Sequence, residues 1–215
     1  MSINKTSIFR FFKRLLIFFF ASTLLTVIIY IFINPPLTPL MLIRSTSQLF
    51  SGDDLKLKKE WVKIESISPN LIKAVIASED NNFTDHWGFD FEAIKKANEL
   101  NKKGGKLRGA STISQQTAKN VFLWPDRTWV RKGFEVYFTG LIELFWTKKR
   151  IMEVYLNVIE MGDGIYGAEM ASQYYFKKSA KDLSPSEAAL IASILPNPRK
   201  WHADNPNSYI KRKQH

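Results

Sequence analysis

Four cations, Lys5, Arg10, Lys13 and Arg14, stand before an uncharged run from Leu15 to Ile33, LLIFFFASTLLTVIIYIFI, and no acidic residue precedes Asp53. Wound as an α-helix, these 19 residues would reach about 28 Å, close to the hydrocarbon thickness of a bilayer. A cleaved export signal is the competing reading. Its apolar stretch would be shorter, and Asn34-Pro35-Pro36 lacks the small residues of a cleavage site. The run therefore reads as a single membrane anchor, which divides the chain into a basic cytoplasmic N-terminus (1–14), an anchor (15–33), a connector (34–60) and a folded body (61–215). The cations on the N-terminal side place that side in the cytoplasm by the positive-inside rule, so the body is expected outside the membrane.

The body has the size of one ordinary domain. From residue 34 onward it carries 27 Lys and Arg against 20 Asp and Glu, a net of about +7. On an exported domain this excess suits anionic headgroups or a phosphorylated lipid better than nucleic acid, with a merely solubilising surface as the plainer alternative. The chain has no cysteine, which excludes disulfides, thiolate metal sites and a cysteine nucleophile. His86, His202 and His215 are too scattered to suggest a metal site.

Asn34 to Pro39, with three prolines, reads as a stiff extended connector. Ser68-Pro69 is an N-cap followed by a first-turn proline, and Leu71, Ile72, Val75 and Ile76 recur at helical spacing up to Glu79. A second helix is expected from Ser111 or Thr112, a third after Thr128, and a fourth around 149–157. Ser184-Pro185-Ser186-Glu187 is a capping box that opens a further apolar helix. Asn101 to Ala110, rich in glycine and cations, reads as a basic loop between the first two helices. No alternating pattern supports a sheet. The body is thus expected to be mainly α.

Three helical faces could carry chemistry. Glu79 shares a stripe with Ile72, Val75 and Ile76 at the end of its helix. Desolvation and the helix dipole would both raise its pKa, as suits a group that exchanges a proton near neutral pH. The plainer reading is that Glu79 and Asp80 cap or pair with the following turn. Thr128, Arg131, Lys132 and Glu135 share a second face, where cations would keep Glu135 ionised. Two carboxylates in such different environments suit chemistry at a sugar carbon, although an ordinary exposed ion-pair face has the same spacing. On a third face Thr112, Gln115, Gln116 and Lys119 could grip sugar hydroxyls and a phosphate, or simply be solvated. Phe122, Leu123 and Trp124 after them read as core.

Five segments in order carry a resemblance: Glu79-Asp80-Asn81-Asn82-Phe83 with His86-Trp87-Gly88; Gly109-Ala110-Ser111-Thr112-Ile113-Ser114-Gln115-Gln116 with Lys119-Asn120; Arg131-Lys132-Gly133-Phe134-Glu135; Lys149 to Asn157; and Gly164 to Phe176 leading to Glu187-Ala188-Ala189. From about Ser66 to Pro198 the chain resembles the glycosyltransferase domain of peptidoglycan polymerases, most closely the stand-alone biosynthetic transglycosylases. The resemblance implies a lysozyme-like helical domain with a smaller membrane-proximal lobe. The implied enzyme polymerises glycan strands, passing the growing glycan from undecaprenyl pyrophosphate to a sugar hydroxyl of lipid II, with inversion and β-1,4 linkage.

By the same resemblance Glu79 is the general base and Glu135 the second essential glutamate, on the leaving-pyrophosphate side. Lys119, Arg127, Arg131 and Lys132 grip the pyrophosphate, and Ser111, Gln115, Asn120 and Asp80 line the substrate cleft. No organic cofactor is implied; a divalent cation, Mg or Mn, is a candidate at the donor pyrophosphate, with no protein metal ligand assigned. The implied setting is the inner membrane, single-pass, with the catalytic domain in the periplasm beside membrane lipids and cell-wall synthesis proteins. No penicillin-binding domain follows residue 198, so polymerisation without cross-linking is expected. A lytic muramidase and a non-enzymatic cell-wall scaffold are the rival readings. The cations around Glu135 speak against a muramidase, which cuts neutral glycosidic bonds.

Overall fold

The first helix, α1 (Lys5–Phe32), is one uninterrupted rod in the computed structural model, which describes residues 5–104 and 109–214. It begins well before Leu15 because no proline or glycine interrupts the basic segment, and Pro35-Pro36 close it off. By length and composition Thr6–Phe32 is a helix able to cross a membrane. Its few hydroxyls turn back onto the helix's own carbonyls. Thr23 Oγ1 donates to Phe19 O at 2.8 Å and Thr26 Oγ1 to Ser22 O at 2.8 Å, which leaves fewer polar groups to be solvated in an apolar setting.

Residues from Pro35 onward form a second unit. The segment read as connector contains a helix, α2 (Pro39–Ser51). Thr38 accepts from Met41 N, Pro39 is the first-turn proline, and Gly52 closes the helix at φ +72°. Thr38-Pro39 is thus the same start signal as Ser68-Pro69, and it was masked by the prolines just before it. Met41 is fully buried, so the helix is docked.

After a short strand, β1 (Lys58–Lys59), come α3 (Pro69–Glu79) and α4 (Phe91–Lys102). Sequence reading misses α4 although Asp90 caps it, accepting from Ala93 N at 2.7 Å. The helix has no buried residue, and its Phe91, Ile94 and Leu100 are exposed. It absorbs Asn101 and Lys102 from the expected basic loop, whose residues 105–108 lie outside the described residues. The next helices are α5 (Ile113–Phe122), α6 (Trp129–Phe145) and α7 (Lys148–Val158). Thr112, Thr128 and Thr147 cap them, each accepting from a backbone N–H three residues on.

Two strands, β2 (Glu160–Gly162) and β3 (Ile165–Tyr166), precede α8 (Ala168–Phe176), α9 (Pro185–Ile194) and α10 (Ser208–Lys213). The expected capping box at Ser184 and Glu187 is formed. β3 lies between β1, which it pairs parallel (Lys58 opposite Ile165), and β2, antiparallel. No sheet was expected, because strands of two or three residues show no alternation and β1 is remote in sequence from β3. Gly164 makes the turn at φ +71°, where a Cβ would stand 2.3 Å from Lys56 O.

Three helix–helix contacts dominate the core: α5 packs on α6 and on α7, and α3 packs on α9, so Glu79 and Glu135 are each carried by a helix anchored in the interior. Asn157 of α7 ties in the strand segment: its Oδ1 accepts from Val62 N at 2.9 Å and its Nδ2 donates to Val62 O at 3.0 Å. Phe122 stacks on Phe138 at 4.5 Å between centroids and Leu123 is buried, whereas Trp124 is 39% exposed.

Candidate active site

Glu79 occupies the last position of α3, half-buried, where its Oε2 accepts a hydrogen bond from Gln116 Nε2 at 3.0 Å. Tyr155, fully buried, donates its hydroxyl to Gln116 Oε1 at 3.2 Å and so orients that amide. Burial pushes the Glu79 carboxyl above its ordinary value. The Gln116 hydrogen bond and the charges of Lys213 and Lys119 pull it back in part, while Asp80 pushes it up. The direction is the one expected from desolvation.

Asp80, the next residue, is buried and has both oxygens engaged. Oδ2 accepts from Ile113 N at 2.9 Å, at the start of α5, and Oδ1 pairs with His86 Nε2 at 2.8 Å. Its side chain fixes α5 against the loop that follows α3. Thr112 adds a second tie, its Oγ1 donating to Gly88 O at 2.7 Å, while the buried Gln115 caps its own helix, its Oε1 accepting from Thr112 N at 3.0 Å in a capping box. Gln115, expected to line the cleft, is thus turned inward. The polar face of α5 is divided: Thr112 and Gln115 build the helix start, while Gln116 and Lys119 face the site.

Two cavities adjoin here. One, of about 290 Å³, is lined by Glu79, Asn82, Lys96 and Ser111 among others. The second, of about 400 Å³, is lined by Ser111, Lys119, Asn120, Arg127, Arg131, Lys132 and Glu135, together with Arg44 and Trp124. Ser111 belongs to both. In the second, Glu135 is 3% exposed, and Oε2 pairs with Arg131 Nη1 at 2.6 Å while Oε1 pairs with the Lys132 ammonium. The i+3 and i+4 spacing on α6 delivers this arrangement, but the pairing is buried rather than solvent-exposed. Burial lowers the Lys119 pKa, and both Glu135 and Glu79 act on its charge and raise it. Lys119 thus stands electrostatically between the two carboxylates.

The structure therefore brings Glu79, Asp80, Ser111, Lys119, Asn120, Arg127, Arg131, Lys132 and Glu135 to one pair of adjoining cavities, Asp80 with both oxygens already engaged, and withdraws Gln115. One participant, Arg44, was not singled out from sequence, and one contact was not: Gln116, expected on the polar face of α5, reaches Glu79 across 37 positions, a distance no local pattern reports. Arg44 carried a signal, as the one charged residue in the stretch 39–51. Among the described residues no three His, Asp or Glu side chains gather as a metal-binding cluster, and both Glu135 oxygens are already ion-paired. These donors do not fit the divalent cation raised by the resemblance.

A desolvated carboxylate in a cavity that adjoins a cation-lined one is equipment for moving a sugar away from an anionic leaving group. That is the class of the glycosyltransferases. The sequence matches the Transglycosylase family model over residues 47–215, and the chain belongs to that family, whose lysozyme-like domain accounts for the mostly helical body. It is 59% identical over 207 residues to the biosynthetic peptidoglycan transglycosylase of Bacteroides thetaiotaomicron, covering 96% of this chain and 84% of the relative. The protein of the same name from Bdellovibrio bacteriovorus is 55% identical over 201 residues, covering 94% and 80%. The one from Pseudomonas syringae is 46% identical over 207 residues, covering 96% and 88%.

Proposed function

We propose that this enzyme polymerises peptidoglycan glycan strands, transferring the growing glycan from undecaprenyl pyrophosphate to a sugar hydroxyl of lipid II with inversion and β-1,4 linkage. The observation that carries this reading is the meeting of the two cavities at Ser111, with Lys119 acting on both carboxylates. Glu79 removes the proton from the acceptor hydroxyl as that oxygen attacks the donor's anomeric carbon. The bond to pyrophosphate breaks in the same step, and the departing negative charge is met by Lys119, Arg127, Arg131 and Lys132. Because Lys119 is held on α5, Arg131 and Lys132 on α6, and Arg127 just before the cap of α6, little reorganisation is needed as charge develops.

Glu135 has a different part. With both oxygens in ion pairs it is not free to attack the sugar, so a covalent glycosyl intermediate is not formed and a single displacement inverts the centre. Glu135 instead holds Arg131 and Lys132 in place, and charge compensation falls to those side chains rather than to a protein-held metal. Both substrates are lipid-linked, which suits a domain tethered by α1 with its N-terminus in the cytoplasm. Trp129, 92% exposed, and Val130, 67% exposed, begin the helix that carries Glu135 and have the chemistry to contact bilayer headgroups and upper acyl chains.

The test is conversion of labelled lipid II by the detergent-solubilised chain, with products separated by size. Polymer is expected. Breakdown of preformed glycan with no polymer from lipid II would point instead to the muramidase, and neither reaction would point to the scaffold.

A further inference from the structure

We propose that Arg44 of α2 is an additional diphosphate-binding residue of the cationic cavity, held by an ion pair with Glu160 of β2 until the ligand competes for it. The inference rests on the transferase reading of that cavity and assigns it a ligand contact from a third element.

Arg44 lines the same cavity as Lys119, Arg131 and Lys132. Its Nη2 pairs with Glu160 Oε2 at 2.8 Å. A guanidinium and a carboxylate that serve only to fasten two elements together usually meet through two parallel hydrogen bonds. Here they do not. Arg44 Nε and Glu160 Oε1 are both buried and both lack a hydrogen-bond partner. One end of the guanidinium is thus tethered while a second donor is held out of water with nothing to bond, an arrangement that costs free energy unless a ligand completes it.

The same pattern recurs across the cavity. Arg131 gives Nη1 to Glu135 and keeps a buried, unpartnered Nε. Two guanidinium groups that line one cavity, from α2 and α6, are each held at one end by a carboxylate and each retain a buried, unsatisfied donor. With five cations there against Glu135 and Asp126, the ligand class is a multiply charged oxyanion, and a diphosphate ester offers acceptors enough for both arginines. Glu160 can tolerate the competition, since burial raises its pKa against the pull of Arg44 and it can take up a proton if the arginine is drawn toward the ligand.

The experiment uses the full chain in detergent, titrated with inorganic pyrophosphate by calorimetry, beside KM and kcat for lipid II polymerisation and a melting curve. The variants are Arg44→Gln, Arg44→Lys and Glu160→Gln. Arg44→Gln is expected to weaken pyrophosphate about 10-fold and to raise KM by a similar factor with a smaller change in kcat, and Arg44→Lys to recover part of the loss. Glu160→Gln, which breaks the same ion pair but leaves the cation, should bind pyrophosphate at least as tightly as wild type even if its melting temperature falls as far as that of Arg44→Gln. Wild-type pyrophosphate affinity in Arg44→Gln would overturn the proposal, as would an equal loss in Glu160→Gln, which marks a purely structural pair. Failure of wild type to polymerise lipid II is a separate result: it removes the transferase reading, while the pyrophosphate arm still decides the role of Arg44.

Discussion

The two ends of the cleft hold the same functional group in opposite circumstances. At one end Glu79 is half-buried, takes a single neutral hydrogen bond from Gln116, and is pushed by burial toward keeping its proton. At the other, Glu135 is more deeply buried, yet sits between Arg131 and Lys132. Burial alone does not decide what a carboxylate does. Where burial meets neutral partners the result is a proton-transfer group; where it meets fixed cations the result is an anchor for charge.

Breaking the two ends should therefore give different losses. The largest effect is expected at Glu79. Glu79→Gln keeps the shape and the contact with Gln116 but cannot accept a proton, so the polymerisation rate should fall by about 10²–10⁴-fold with no loss in melting temperature. Gln also removes a carboxylate whose ionisation burial opposes, which favours the fold slightly at neutral pH. Next comes Glu135→Gln, which leaves buried Arg131 without its counter-charge. A stability loss of about 3–5 kcal/mol is expected, a fall on the order of 10 °C by calorimetry, together with weaker pyrophosphate binding.

Lys119→Met acts on both ends at once. It should weaken pyrophosphate binding by roughly 10-fold and also move the acid limb of the rate profile to higher pH, because Lys119 is one of the charges holding the Glu79 pKa down. The smallest effect isolates that last component. Glu79 must be ionised to act as a base and its pKa is raised above 4.5, so the rate should fall as pH drops through a value above the ordinary carboxylate range. Removing the Lys213 charge, which pulls the Glu79 pKa down more than the Lys119 charge does, in Lys213→Met should shift that limb upward by a few tenths of a pH unit, measured on lipid II turnover. An unchanged limb in both lysine variants would mean that Glu79 is not the titrating group.

Much of this contrast could be read from the sequence, and the parts that could not share a cause. Helix starts at Ser68, Thr112, Thr128 and Ser184 were legible because a cap and its partner lie within three residues of each other. The raised pKa of Glu79 followed from its place on an apolar stripe, and the ion-paired state of Glu135 from i+3 and i+4 spacing. What remained hidden depends on partners far along the chain. β1 exists through β3, Gln116 reaches Glu79 from another helix, and Arg44 meets Glu160 across 116 positions. Gln115 shows a subtler limit: spacing placed it on the polar face of α5, but a local cap claimed its side chain. Spacing gives a direction; competition among hydrogen bonds decides where the side chain goes.

The division of labour between the two carboxylates is tested most directly by the anomeric configuration of the newly made glycosidic bonds, read by NMR on polymer formed by the wild-type enzyme. Inversion relative to the donor is predicted, since Glu79 supplies the base and Glu135 is tied up by two cations. Retention would contradict the account, because it requires a carboxylate free to form a covalent bond with the sugar.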